Sequence, residues 1–192
     1  MPWPKAHKKE THDRILDAAA AAFREHGVES VSVGEIMDRA GLTHGGFYAH
    51  FKSKDDLLAE VLVRTNADTR ERLGEAKSLL AHADMYMSNE HAAHREDGCG
   101  IAALGPELSR GSARVRKRFC ANIQDRLELL GSLIEGRSRE QRERQAVGAL
   151  ACMVGAIILA RGVGEERGES LLAECRAFLR EALASPERSA AD

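Results

Sequence analysis

Paired cysteines, proline, tyrosine and any strong excess of charge are what this sequence has little of, and each shortage excludes something. Its four cysteines, Cys99, Cys120, Cys152 and Cys175, stand far apart with no CxxC pair. That spacing argues against a disulfide framework and a zinc ribbon, and leaves reduced thiols as the expectation. Only four Pro and two Tyr occur, and β-branched runs are scarce, so strands have little to be built from. The net charge is −2 and the isoelectric point about 6.5. Even Met1 to Lys54 carries eight Lys/Arg against seven Asp/Glu, so no strongly basic domain advertises nucleic-acid binding. No apolar stretch of a secretory signal follows Met1-Pro2-Trp3-Pro4-Lys5. The longest apolar run, Ala146 to Ala160, is short and rich in Ala and Gly for a bilayer span. The expectation is a cytoplasmic chain with no membrane partner. A Ser nucleophile elbow, a phosphate loop and an HExxH pair are all missing, and no cofactor, catalytic residue or metal is expected.

What is present is helix-forming material, rich in Ala, Leu, Glu and Arg over 192 residues. An all-α protein is expected, with ample length for a buried core. Thr11 is placed to cap a first helix over about residues 11–26, in which Ile15, Ala19, Ala22 and Phe23 recur at helical spacing before Gly27 stops it. Ser32-Val33-Gly34-Glu35 reads as a capping box opening a short helix over about 33–40. Gly41-Leu42 makes a tight turn, and Thr43 is placed to cap a third helix whose Phe47, Tyr48 and Phe51 pack back on the first two. Ser53-Lys54-Asp55-Asp56 repeats the cap pattern and launches a fourth helix. Lys5, Lys8 and Lys9 ahead of the first helix, with Lys52 and Lys54 after the third, supply a local basic patch. Such a patch suffices within an acidic chain, because distant charges are screened beyond roughly 10 Å.

A helix, a glycine turn and a second short helix with small or polar residues at its start let the second helix enter a major groove. The run Gly41-Leu42-Thr43-His44-Gly45-Gly46-Phe47-Tyr48-Ala49-His50-Phe51-Lys52-Ser53-Lys54-Asp55-Asp56-Leu57-Leu58 resembles the recognition-helix signature of TetR/AcrR-like transcriptional regulators, and the likeness extends back over Ile15 to Ala40. Gly34 and Met37 depart from that pattern, where a larger residue and Ala are usual. The resemblance implies a helix-turn-helix DNA-binding domain over 1–53 and a helical effector-binding and dimerisation domain over 54–192. It implies that Thr43, His44, Gly45, Gly46, Tyr48, His50 and Lys54 contact double-stranded operator DNA. Hydroxyl, ammonium and terminal amide donors suit phosphate oxygens, while His44, with Thr43 and His50, has the chemistry to read bases.

Residues from Leu57 to about Met87 read as one long or two consecutive helices, Ser88 to Gly98 as an exposed connection, Cys99 to Leu108 as helix, and Arg114 to Leu133 as an amphipathic helix. Glu140 to Val163 becomes almost wholly apolar, and Leu171 to Leu183 carries an apolar stripe of Leu171, Leu172, Cys175, Phe178, Leu179 and Leu183. Gly148, Cys152 and Gly155 share one small face, which suits a four-helix bundle with a second copy of the chain and hence a homodimer. Leu80, Met85, Tyr86, Leu104, Phe119, Ile123 and Met153 are candidates to line a pocket for a small apolar effector, an arrangement that the resemblance implies, as it also implies a repressor that the effector releases from its operator. Two rival signals stay open: modification of Cys99 at an apparent helix start, and a metal held by His91, His94 and Cys99. A helical interaction module without DNA affinity is the alternative of another class.

Overall fold

The computed structural model describes residues 5–74 and 76–184, and there the chain is helical, with no strand among the described residues. The tail Ser185 to Asp192, whose sequence leads one to expect disorder, lies outside them. Among the described residues nine α-helices follow in order: α1 (Lys5–His26), α2 (Val33–Arg39), α3 (Lys54–Gly74), α4 (Leu79–Tyr86), α5 (Asn89–Ala93), α6 (Gly100–Arg110), α7 (Ala113–Ser132), α8 (Arg139–Val163) and α9 (Glu165–Ala184). A 3₁₀ segment, His44–Ala49, lies between α2 and α3.

Four sequence expectations are corrected here. The first helix begins at Lys5 rather than near Thr11, because nothing between them interrupts a helix, so Lys8 and Lys9 ride on α1 instead of preceding it. The third helix is 3₁₀ rather than α; two consecutive glycines at its start and its short length favour the tighter winding. The polar connection Ser88 to Gly98 contains α5, whose first turn is stapled by the Ser88 hydroxyl accepting from His91 N at 3.1 Å. The second apolar stripe belongs to a longer helix that starts at Glu165, directly after Gly164, whose φ of 85° breaks α8 from α9.

The chain divides into two compact units, Met1–Glu71 with His94–Asp125, and Arg72–Ala93 with Arg126–Asp192. In the first unit Ile15, Phe23, Ile36, Phe47, Phe51 and Leu57 are fully buried and form one apolar cluster with Leu104 and Leu108 of α6. Gly27, in the left-handed region at φ +86°, ends α1, and a Cβ there would stand 2.7 Å from Glu107 Oε1. The same carboxylate accepts from Val28 N at 2.6 Å, so α6 tethers the turn that leads into α2.

The second unit packs α8 lengthwise on α9, with α4 and α5 against both. Gly168 permits the close crossing, since a Cβ there would lie 2.9 Å from the Ala160 carbonyl oxygen. By length and composition α8 could cross a bilayer, more than the run Ala146 to Ala160 alone suggests. It opens with Arg139, Glu140, Arg142, Glu143 and Arg144, and it buries Ala146, Ala149, Leu150, Met153, Ala156, Ile157 and Ala160 within its unit. Its other face is not covered within the single chain. There Val147, Ile158, Leu159 and Val163 are exposed in the single chain.

Candidate nucleic-acid interface

The sequence builds a rigid mount beneath a row of exposed donors. Ser32 and Glu35 form the reciprocal capping box: the Ser32 hydroxyl accepts from Glu35 N at 3.1 Å and the Glu35 carboxylate from Ser32 N at 2.6 Å. These bonds hold the Glu35 carboxyl below the usual carboxylate range. At the other end of α2, Arg14 reaches from α1 and donates to the Ala40 carbonyl at 2.6 Å. Its positive charge sits where the α2 dipole is negative. Gly41, at φ +65°, then turns the chain, so α1 pins the corner from which the 3₁₀ segment departs.

Within that segment Phe47 is the inward anchor, fully buried with Phe51 ring-to-ring at 5.7 Å. Thr43, His44, Gly45 and Tyr48 face outward. Thr43 takes the extended N-cap backbone, but its hydroxyl makes no capping bond and remains exposed at the start of the segment. Tyr48 is 69% exposed and stands edge-on to Phe47 at 5.2 Å. A Cβ on Gly45 would meet nothing within 4 Å, so this surface is open to close approach. Gly46 faces the other way, its Cβ direction pointing to Met37 Cε at 3.5 Å. Gly34 lies beside the His44 ring, 3.7 Å from the place a Cβ would take.

His50 and Lys54 are seated differently. His50 is half-buried, its Nδ1 enclosed without a hydrogen-bond partner. Burial, then the charges of His12 and Lys8, lower its pKa, which favours the neutral imidazole. Lys54, the first residue of α3, holds its ammonium 5.9 Å from the Phe23 ring centre, which leaves it at the rim. Behind it the Ser53 hydroxyl accepts from Asp56 N at 3.0 Å, and Asp56 accepts from Lys52 N at 3.1 Å.

The effector candidates are divided between the two units. Leu104, Phe119 and Ile123 fall in the first unit, while Leu80, Met85, Tyr86 and Met153 fall in the second. Leu104, Tyr86 and Met153 are buried, whereas Met85 is 60% exposed on α4. Cys99 is buried at the N-cap of α6. Of the rival metal set, His91 lies in the second unit with Nδ1 2.5 Å from the Tyr86 carbonyl oxygen, while His94 and Cys99 lie in the first. Burial, with Cys175 beside it, pushes the Cys152 thiol up and away from a reactive thiolate.

Sequence reasoning missed one pair altogether. Among the described residues only His82 and Arg126 are buried polar or charged side chains. Both belong to the second unit. Burial first, then the Arg126 and His91 charges, take the His82 pKa down to about 4. The unfolded imidazole titrates near 6.5 and the folded one near 4, so below pH 6.5 only the unfolded chain gains the proton. Stability from this group is therefore complete above pH 6.5 and is lost as pH falls toward 4. By pH 4.5 the loss should be about 2 kcal/mol. Urea unfolding at pH 7 and pH 4.5 checks this: His82→Gln should shrink the drop by that amount, and an equal drop in both proteins would mean that His82 is not held neutral.

A helix, a glycine turn and an exposed donor row on the segment that follows define a helix-turn-helix protein. The chain belongs to the TetR family of bacterial regulatory proteins. The family model for "Bacterial regulatory proteins, tetR family" matches residues 15–61. The chain is 30% identical to the HTH-type transcriptional repressor BepR of Brucella suis biovar 1 (strain 1330) over 165 residues, covering 86% of this chain and 71% of that relative. It is 47% identical to the HTH-type transcriptional regulator AcrR of Shigella flexneri over 57 residues, 30% of this chain, a match spanning only 26% of AcrR. Among solved structures, a TetR transcriptional regulator from Chloroflexus aurantiacus J-10-FL aligns with TM-score 0.77 at 24% identity, covering 94% of this chain and 97% of the other. The reduced form of E. coli NemR aligns with TM-score 0.73 at 20% identity, covering 92% and 98%. At these identities the likeness is one of fold.

Proposed function

We propose that this chain is a homodimeric DNA-binding transcription regulator of the bacterial cytoplasm, a repressor that leaves its operator when a small-molecule effector binds. Residues 1–53 are the DNA-reading head and residues 54–192 carry effector binding and dimerisation. The observation that carries this reading is the exposed row Thr43, His44, Gly45 and Tyr48, mounted on a segment whose Phe47 is fully buried. Thr43, Tyr48 and Lys54, with the backbone amide at Gly45, hold phosphates, while the Gly46 amide donates to the Thr43 carbonyl at 3.0 Å and Gly46 serves the close approach of the backbone; His44 reads base edges, and His50 stiffens the segment from its half-buried seat or reads beside it.

Dimerisation is supported by the uncovered face of α8, where Val147, Ile158 and Leu159 are exposed and a Cβ on Gly148, Gly155 or Gly162 would meet nothing within 4 Å. Phe178 on α9 is 63% exposed as well. Two heads carried by a two-fold dimer match a near-palindromic site. An effector that favours the spacing unsuited to DNA weakens operator binding, and DNA weakens effector binding by the same factor.

The test is selection of binding sites from random duplexes by the purified chain, followed by affinities at two salt concentrations. A near-palindromic site should be enriched. Tyr48→Ala should weaken it by roughly tenfold or more, as expected for loss of a hydrogen bond to a charged phosphate. Lys54→Ala should weaken all duplexes similarly and reduce the log-log salt slope by about one. If wild-type protein enriches no site, the reading fails.

A further inference from the structure

Among the described residues two strongly buried side chains carry a basic group, His82 and Arg126, and these two are neighbours in the second unit. Both ring nitrogens of His82 and Nε of Arg126 are enclosed with no hydrogen-bond partner. No carboxylate of the described residues is ion-paired with Arg126, whereas other arginines of the same unit are engaged: Arg180 on Asp84, Arg161 on the carbonyls of His91 and Ala92, Arg176 on the carbonyl of Met87. A guanidinium keeps its charge under any biological condition. A buried charge without a counter-charge, beside an imidazole with nothing to bond, is an arrangement that folding alone disfavours.

We propose that His82 and Arg126 are the polar end of the effector site, and that the effector is a small organic acid with an apolar body. The carboxylate lies on the Arg126 fork and takes the one N–H of the neutral His82 ring. Charge matching selects the class: one guanidinium and one neutral imidazole balance a monoanion, and a phosphate dianion would be left with excess charge. The helical register selects the body. Leu79 and Tyr86 stand one turn either side of His82 on α4, and Leu130 stands one turn beyond Arg126 on α7, all buried. The His82 and Tyr86 rings are 6.0 Å apart, which sets an aromatic wall beside the charged end. A water in this place would satisfy a donor but would not neutralise the charge.

This inference rests on the reading of the chain as effector-controlled, so binding is measured on the full chain without DNA. The probes are octanoate and benzoate, each beside its uncharged amide, with inorganic phosphate as a compact anion. At about ten times its dissociation constant, at least one acid should raise the melting temperature by roughly 3 to 5 °C. Its amide should do less than a third of that. Arg126→Met should lose the acid-specific shift. Without any probe, Arg126→Met should melt at or above the wild-type temperature, since an apolar chain then replaces an uncompensated charge. The proposal is overturned if neither acid exceeds its amide, if phosphate matches the acids, or if Arg126→Met alone lowers the melting temperature, which is the mark of a purely structural arginine. Duplex binding measured separately keeps the two readings apart. Selective duplex binding with no acid-specific shift removes the organic-acid site and leaves the DNA-binding regulator standing; the shift without duplex binding supports the site and removes the regulator.

Discussion

Alanine in place of Phe47 is expected to destabilise the chain by about 3 to 5 kcal/mol, the range for emptying a fully buried phenylalanine site. The same change at its neighbour Tyr48 should cost less than about 1 kcal/mol. The contrast follows from one residue of rotation along the 3₁₀ segment. Phe47 is wholly enclosed, against Phe51 and the apolar cluster of α1, α2 and α3. Tyr48 is exposed and keeps only an edge contact with the Phe47 ring. In urea unfolding the Phe47→Ala midpoint should fall steeply, and duplex binding should disappear with the head's packing. Tyr48→Ala should unfold close to wild type and yet bind DNA poorly. Equal unfolding midpoints for the two variants would mean that Phe47 does not anchor the segment. A Tyr48→Ala protein with unchanged affinity would remove Tyr48 from the interface.

Leu159→Glu should split the proposed dimer while leaving the subunit folded. Leu159 is 55% exposed in the single chain, so a carboxylate there costs the subunit little. In a two-fold α8 interface the same residue is buried from both sides, and two unpaired carboxylates are taken out of water near one another. The dimer dissociation constant should rise at least roughly a thousandfold, since several kcal/mol of desolvation convert at about 1.4 kcal/mol per tenfold. Sedimentation at micromolar concentration reads this directly, and affinity for a palindromic duplex should fall with it. Gly155→Leu is the steric counterpart, because a Cβ at that position would meet nothing within 4 Å in the single chain, so the bulk is placed to interfere with a second copy. Dimers of wild-type strength in both variants would place the interface elsewhere.

The parts of the fold that were legible in the sequence are those governed by contacts a few residues apart. The Ser32 and Glu35 capping box, the Gly27 and Gly41 turns and the Ser53 cap each bond within four residues or depend on one residue's backbone freedom. Helical spacing likewise pointed Ile15, Phe23, Phe47 and Phe51 inward, where they are buried, but it pointed Tyr48 inward too, and Tyr48 is 69% exposed because the 3₁₀ winding turns it away from the first two helices. Less legible were the element starts. Thr11 has the chemistry of a cap, yet the helix runs through it from Lys5, because a cap residue ends a helix only where the preceding chain turns away. The α and 3₁₀ states of His44–Ala49 differ by one residue of hydrogen-bond register, and the paired glycines and short length that favour the tighter winding are no part of the apolar spacing.

The sequence by itself determined that this chain is helical, where its helices turn, and which family's DNA-reading segment it carries, since local spacing, capping and glycine placement are written in consecutive residues. Only the tertiary structure decided what those helices bring together. Arg14 of α1 meets the end of α2, Glu107 of α6 holds Val28 after α1, and His82 of α4 is enclosed beside Arg126 of α7. It also decided which side of α8 is filled by its own unit and which side is left bare. The reason is physical: burial, charge and pairing belong to groups far apart along the chain, and their energies exist only once packing has excluded water from between them.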